Sequence, residues 1–283
     1  MQIFCNAFLT QKRKGAKRQM IKLNSFLSDF ASFRLCPKIL QTRFIFYIAA
    51  FFFLSSSLPV DATLYLRDHL RKAQKGDYVV TAQGKNVTLL HVLSHSEGEM
   101  VIEEVTVPES YAPPPGYWKG WIAKGAAQNT SWTVYSLDDQ KGEMKELYSL
   151  SQQCWLNRSQ KDNLFTKLLS IPFEKMPQNR RKRRGVISSN HTNPWWQPKM
   201  IFEGHEVRNI TFDAWWTRWP NDGSDLAGRE ITIYLLANDE NYPNYFPYWL
   251  QAKGSITKGQ MRIIDSGKGM SSSTGEQFFK LPR

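Results

Sequence analysis

The sequence predicts a mainly β fold of α+β type: an antiparallel sheet or half-open β-barrel with two or three short helices. Three observations predict it. Short β-rich runs recur along residues 77–265, helical periodicity is confined to brief stretches, and Gly, Pro, Asn and Asp punctuate the chain at close intervals. No internal repeat interrupts this pattern.

Taken in order, residues 64–73 place Leu66, Leu70 and Ala73 at helical spacing, which predicts a short amphipathic helix ending near Gly76. Residues 77–82 and 87–93 are β-rich runs on either side of a Gly/Asn turn, and 100–107 follows a second turn, giving a three-strand meander. Pro108 and Pro113-Pro-Pro-Gly116 form a stiff connector. Residues 117–125 read as one amphipathic turn with Trp118, Trp121 and Ile122 inward. Residues 131–137 alternate as a strand, 138–142 turn, and 143–150 return; 162–171 carries Leu164, Phe165, Leu168 and Leu169 at helical spacing. Residues 174–198 read as a long exposed loop. Strands resume at 200–202, 207–215 and 229–236, then at 248–252 and 260–265. The organisation expected is a leader over 1–62, one β-rich domain over 63–270, and a flexible tail over 271–283.

The leader rests on Phe44 to Leu54, eleven uninterrupted apolar residues preceded by Lys38 and Arg43 and followed by a small-residue exit at Val60 and Ala62. That layout is a secretory signal cut after Ala62, because a membrane-spanning helix needs about 20 apolar residues. The rival reading keeps it as an uncleaved anchor, with residues 44–58 in the membrane. Either way the chain is expected to be exported to a bacterial periplasm or cell envelope. Met1 and Met20 both serve as possible starts. Residues 1–62 hold nine Lys/Arg and two Asp/Glu, so residues 63–283 keep only +5 of the total +12. Five cations of that remainder stand in one run, Arg180 to Arg184, which speaks against an extended basic face for nucleic acid. Cys154 is the lone cysteine after Ala62; it is expected to be a buried inert thiol, and the fold must rely on its core.

Three segments stand out as distinctive: Gly76-Asp-Tyr-Val-Val-Thr-Ala-Gln-Gly-Lys-Asn-Val-Thr-Leu-Leu-His-Val92, Tyr242-Pro-Asn-Tyr-Phe-Pro-Tyr-Trp-Leu-Gln251 and Arg262-Ile-Ile-Asp-Ser-Gly267. Over most of residues 64–270 the chain resembles an uncharacterised exported protein family of chlamydia-type bacteria. The resemblance implies a Gram-negative envelope and brings no catalytic residue.

The strongest functional pattern is aromatic. All ten Trp follow residue 62, and six fall between 195 and 249, several beside proline. Stiff aromatic loops make preorganised contact surfaces. Trp195, Trp196, Trp216, Trp219, Tyr242, Tyr245 and Trp249, with Asp222 nearby, are the candidate ligand residues for a glycan, a lipid-like molecule or a partner protein. The competing reading places these rings in the core, since each buries about 150–250 Å². Trp215-Trp216 sharpens the choice: neighbours on a strand face opposite sides, so only one can enter a single core. Arg180, Arg181, Lys182, Arg183 and Arg184 are either a solvated run or a contact for lipid headgroups or another acidic surface.

No cofactor or metal site is implied. His91 and His95 lack a third ligand, and Asn221 to Gly228 reads as a turn between strands. A nucleophile elbow and a phosphate loop are both missing. Two further readings remain. An envelope glycan hydrolase would use paired carboxylates from among Glu203, Glu206, Asp213 and Asp222. A glycoprotein of a eukaryotic or viral secretory route would use the Asn-x-Ser/Thr triplets at Asn86, Asn129, Asn157, Asn190 and Asn209.

Overall fold

The computed structural model describes residues 63–156, 164–183, 195–237, 241–253 and 259–280. The leader expectation, Arg184 and the middle of the 174–198 loop lie outside these residues.

Fourteen strands are named in chain order. They are β1 (Thr63–Tyr65), β2 (Tyr78–Gln83), β3 (Asn86–Ser96), β4 (Glu99–Pro108), β5 (Ser131–Asp138), β6 (Met144–Ser149), β7 (Cys154–Trp155), β8 (Pro172–Lys175), β9 (Met200–Phe202), β10 (His205–Val207), β11 (Phe212–Arg218), β12 (Glu230–Leu236), β13 (Trp249–Ala252) and β14 (Gly259–Gly267). Among the described residues three short α-helices, α1 (Leu66–Leu70), α2 (Trp118–Ala123) and α3 (Leu164–Ser170), interrupt them. Twelve strands form one sheet in the order β1-β8-β11-β12-β13-β14-β2-β3-β4-β5-β6-β7, and β9 and β10 pair separately. The pairings are antiparallel, so hairpins and meanders build the sheet from local connections. It is an open sheet and does not close into a barrel. Its edges are short, three residues in β1 and two in β7, which limits the unpaired backbone offered to another chain.

The sheet bends round its helices. α1 follows directly from edge strand β1, yet Arg71 just beyond it donates to the carbonyl of Asp139 (3.2 Å), in the β5–β6 turn near the opposite edge. On the face so enclosed, Val79, Leu90, Ile102, Tyr135, Phe173, Ile233 and Ile263 meet Leu66, Leu70, Phe165 and Leu169 from the helices in the main core. A second cluster lies across β2–β5 on the other face. There Tyr78, Val80, Leu89, Val105 and Trp132 are covered by Trp118 and Ile122 of α2. Burial on both faces explains why β2–β4 read as nearly continuous apolar runs rather than a clean alternation.

Three expected elements change, and so does the expected burial of one residue. The expected helix over 64–73 shortens to α1, because Thr63–Tyr65 instead pair with Glu174, Phe173 and Pro172 of β8. This ladder also turns the start of the expected 174–198 loop into strand, since Glu174 and Lys175 pair with Trp216 and Trp215. The expected flexible tail is ordered through Lys280: Gly275–Lys280 form a 3-10 turn, and Phe278 packs with Leu93, Val101, Val134 and Tyr148. Cys154 is exposed rather than buried, because it sits on the two-residue edge strand.

The segments that carry the family resemblance are internal fastenings. Gly76 has φ +88°, and a side chain there would come within about 3.1 Å of the Gly269 backbone, so only glycine fits. The Tyr245 hydroxyl donates to the Leu90 carbonyl (2.8 Å), and Tyr248 donates to that of Pro243 (2.8 Å). The fully buried Asp265 accepts from the backbone N–H groups of Gly116 (2.6 Å), Gly204 (3.1 Å) and Ser266 (2.9 Å), tying two loops to β14. Satisfying a buried carboxylate with backbone donors removes much of its desolvation cost.

Candidate functional site

Strands β11–β13 present two faces of opposite character. Ile231, Ile233 and Leu250 point into the main core. The alternate residues Trp216, Thr232, Tyr234, Trp249 and Gln251 share the other face, because the ladder sets Trp216 opposite Thr232, Thr232 opposite Gln251, and Tyr234 opposite Trp249. Trp215 and Trp216 separate as expected: Trp215 is buried in the core, and Trp216 is half-buried on the outer face.

The limbs of the 174–198 segment cross this outer face. The Met176 N–H donates to the Ala214 carbonyl (2.9 Å), and Arg181 donates to that of Phe212 (3.1 Å). Arg183 and Trp195 form an antiparallel bridge, and the Trp196 N–H donates to the Lys182 carbonyl (2.8 Å). The basic run and the Trp pair are therefore partners in a small ladder. Its geometry puts Lys182 5.1 Å from the Trp196 ring centre and Arg183 5.5 Å from that of Trp195. Arg180 lies 4.3 Å over Trp216 while holding Glu230 at 2.6 Å, and Lys253 reaches Glu230 at 3.1 Å. Cation–π pairs at partly exposed sites contribute roughly 0.5–1 kcal/mol each. The Arg180–Trp216 pair fixes a limb to the sheet, and the other two fasten the limbs to each other.

The result is a shallow groove of about 170 Å³, lined by Trp196, Tyr234 and Trp249 with Thr232, Gln251, Glu230 and three cations at its margins. Trp196 stands edge-on to Trp249 (4.9 Å between centroids, 68°) and to Tyr234 (5.2 Å, 84°). Edge-to-face contact locks the three rings together, with Tyr234 buried (3 % exposed) and Trp196 and Trp249 half-exposed. Among the described residues no cation caps Trp249.

Not all sequence candidates gather here. Trp219 is 2 % exposed and Tyr245 1 %, so both are core residues and the expectation of a ligand surface is corrected for them. Trp219 is buried because its backbone continues the β11–β12 hairpin past the strand ends, bonding Arg229 and Gly228, while its indole N–H donates to Asp222 (3.2 Å) and Ser224 (3.1 Å). Asp222 serves that turn: the Lys167 ammonium (2.8 Å) and the Ser224 contacts hold its carboxyl well below the usual carboxylate range. Tyr242 lies elsewhere, edge-on to Phe202 and beside a larger polar cleft of about 870 Å³ shared with His69, Lys72 and Asn244. Sequence reasoning missed Tyr234, Thr232, Gln251, Glu230 and Lys253 as site residues. Period-two alternation along β12 and β13 would have put Thr232 and Gln251 on one face had their register been known.

The carboxylates proposed for hydrolysis do not converge. Each is matched to its own lysine: Glu203 to Lys119 (2.7 Å), Glu206 to Lys199 (3.7 Å), Asp213 to Lys175 (3.3 Å) and Asp222 to Lys167. The Lys119 hydrogen bond also lowers Glu203, which unfits it as a general acid. His91 and His95 are occupied by separate tasks. His91 meets Glu103 (2.9 Å) and the Met270 carbonyl (3.2 Å), and His95 meets the Ala73 carbonyl (2.8 Å) and Asp139 (3.4 Å).

Comparison with known proteins agrees with this architecture. The family model described as CT021 protein matches residues 88–208. A solved structure, the hypothetical protein CT021 from Chlamydia trachomatis, superposes with a TM-score of 0.52 at 19% identity, covering 75% of this chain and 96% of that one. At that identity the likeness speaks for the fold. No curated protein matches the chain. The resemblance to an uncharacterised chlamydial family stands, and neither match carries an activity.

Proposed function

We propose that this relative of the CT021 family is a binding module whose outer-face groove seats one ring of an extended, acidic glycan. The observation that carries the reading is the convergence of Trp196, Tyr234 and Trp249 with Lys182, Arg180 and Lys253 over a polar floor. A pyranose stacks its apolar face on an aromatic ring, and Thr232 and Gln251 can exchange hydrogen bonds with its hydroxyls. The cations supply charge for a sulfate, phosphate or carboxylate substituent. The depression is smaller than the roughly 300 Å³ at which pockets begin to engulf drug-sized molecules. It therefore suits a polymer lying across the surface.

Export through the leader would bring the groove to an envelope glycan. N-terminal sequencing of the native protein tests this part, with Thr63 as the expected first residue; recovery of the full-length chain from the cytosol counts against it. The groove itself is tested by titrating a sulfated and an unsulfated hexasaccharide of one backbone while following tryptophan fluorescence. Saturable binding of the sulfated sugar that weakens from 50 to 300 mM salt is expected. No spectral change with either sugar at millimolar concentration overturns the reading.

A further inference from the structure

A second cavity, of about 330 Å³, opens on the enclosed face of the sheet, separate from the groove. Its polar wall follows from register. Thr81 pairs with Thr88, and Thr88 with Thr106, so three hydroxyls line up across β2, β3 and β4 where the same face further along carries Val79, Leu90 and Ile102. Thr88 and Thr106 share a hydrogen bond at 3.0 Å, and Thr81 bonds the Thr88 carbonyl at 3.3 Å. Two residues along β4 from Thr106, Glu104 faces the same space, and one of its oxygens accepts from the buried Tyr135 hydroxyl at 3.2 Å. The opposite wall is hydrocarbon: Leu164 and Phe165 of α3, Phe246 and Met261.

The arrangement is unusual for a void left by imperfect packing. A row of threonines and a carboxyl occupies core-facing positions, and no lysine or arginine lines the cavity. Among the described residues no cation pairs with Glu104. Burial accordingly raises its carboxyl above the ordinary glutamate range. A carboxyl held this way has one compatible charged guest. An anion would find no cation in the cavity to neutralise it. An ammonium would convert the carboxyl to a paired carboxylate, with its remaining N–H groups free to donate to hydroxyls.

We propose that this cavity binds a small amphiphilic amine, its ammonium held by Glu104 with Thr88 and Thr106, and its hydrocarbon part packed on Phe165, Phe246 and Met261. In the acidic range the exchange is balanced: the ammonium enters with its charge, Glu104 gives up one proton to solvent, and an ion pair forms.

Calorimetric titration of the full chain with hexylamine, hexanol and hexanoate, in buffers of different ionisation enthalpy, tests the proposal. Hexylamine is expected to bind at least tenfold more tightly than hexanol, with release of up to one proton and with affinity rising from pH 5 to pH 8; hexanoate is expected not to bind. Glu104→Gln is expected to abolish proton release and cut hexylamine affinity at least tenfold, leaving hexanol unchanged. Equal binding of amine and alcohol, binding without proton release at any pH from 5 to 8, or no binding of hexylamine at 10 mM overturns it. The three wild-type titrations decide the matter even if the variant fails to fold.

Discussion

Trp215 and Trp216 are neighbours in sequence and strangers in environment. Trp215 is sealed in the main core, whereas Trp216 lies half-buried on the outer face beneath the Arg180 guanidinium. Along β12 the same alternation sends Ile231 and Ile233 into the core and sets Thr232 and Tyr234 on the groove side, where Tyr234 is still buried. The contrast teaches that residue type alone does not mark a ligand surface in a chain rich in tryptophan. The side of the strand does, together with what crosses that side. Aromatic residues outside the strand register, such as Trp219 and Tyr245, went to the core despite prolines and carboxylates close by.

The sharpest way to break this comparison is to alter the aromatic residues it assigns to the core. Trp219→Ala is expected to cost about 3–5 kcal/mol, the range for deleting a buried Trp or Phe, and thermal melting reads it directly. A small loss would return Trp219 to the surface. Tyr245→Phe keeps the ring and removes only the hydroxyl that serves the Leu90 carbonyl. The expected loss is about 1–2 kcal/mol, measured by urea unfolding.

Glu104→Gln sharpens the account on the enclosed face through pH. Burial raises the folded-state value of Glu104 above its ordinary 4.5. The folded chain therefore holds this proton more tightly than the unfolded chain. Stability from this group is fully present below pH 4.5 and is lost as pH rises through the raised folded value. Glu104→Gln is thus expected to leave stability nearly unchanged at pH 4 and to increase it at pH 8. Urea midpoints at the two pH values check the sign, and a variant less stable at pH 8 than the wild type would refute it. The smallest effect belongs to Lys182→Ala. Its contact with Trp196 is partly exposed, so the loss should stay within about 1 kcal/mol, while binding of an acidic sugar should fall severalfold.

Much of the fold was legible. The β2–β4 meander carried its own turn signals, with Gly84 and Gly98 at positive φ between the strands. The Trp215/Trp216 split followed from strand geometry alone. The candidate site was half legible. Two of its three rings and two of its three cations were named from the sequence, but their pairing was not, because the basic run and Trp195-Trp196 meet across a segment with no periodicity to betray a ladder. Glu104 passed unnoticed for a related reason. In Val-Ile-Glu-Glu-Val-Thr-Val it reads as one solvated carboxylate in a strand, and only the register of β3 and β5 turns it toward the core face. Cys154 failed differently: its burial was inferred from its chemistry, while exposure was decided by an edge strand too short to be covered.

The account stands most directly on Trp249, the groove ring whose outward face no cation covers among the described residues. Titration of wild type and Trp249→Ala with the sulfated hexasaccharide, followed by fluorescence with a melting curve for each protein, isolates its role. A loss of affinity of tenfold or more, with both proteins still cooperatively folded at the titration temperature, is the predicted result. Equal affinity in the two proteins would contradict the groove as the ligand site.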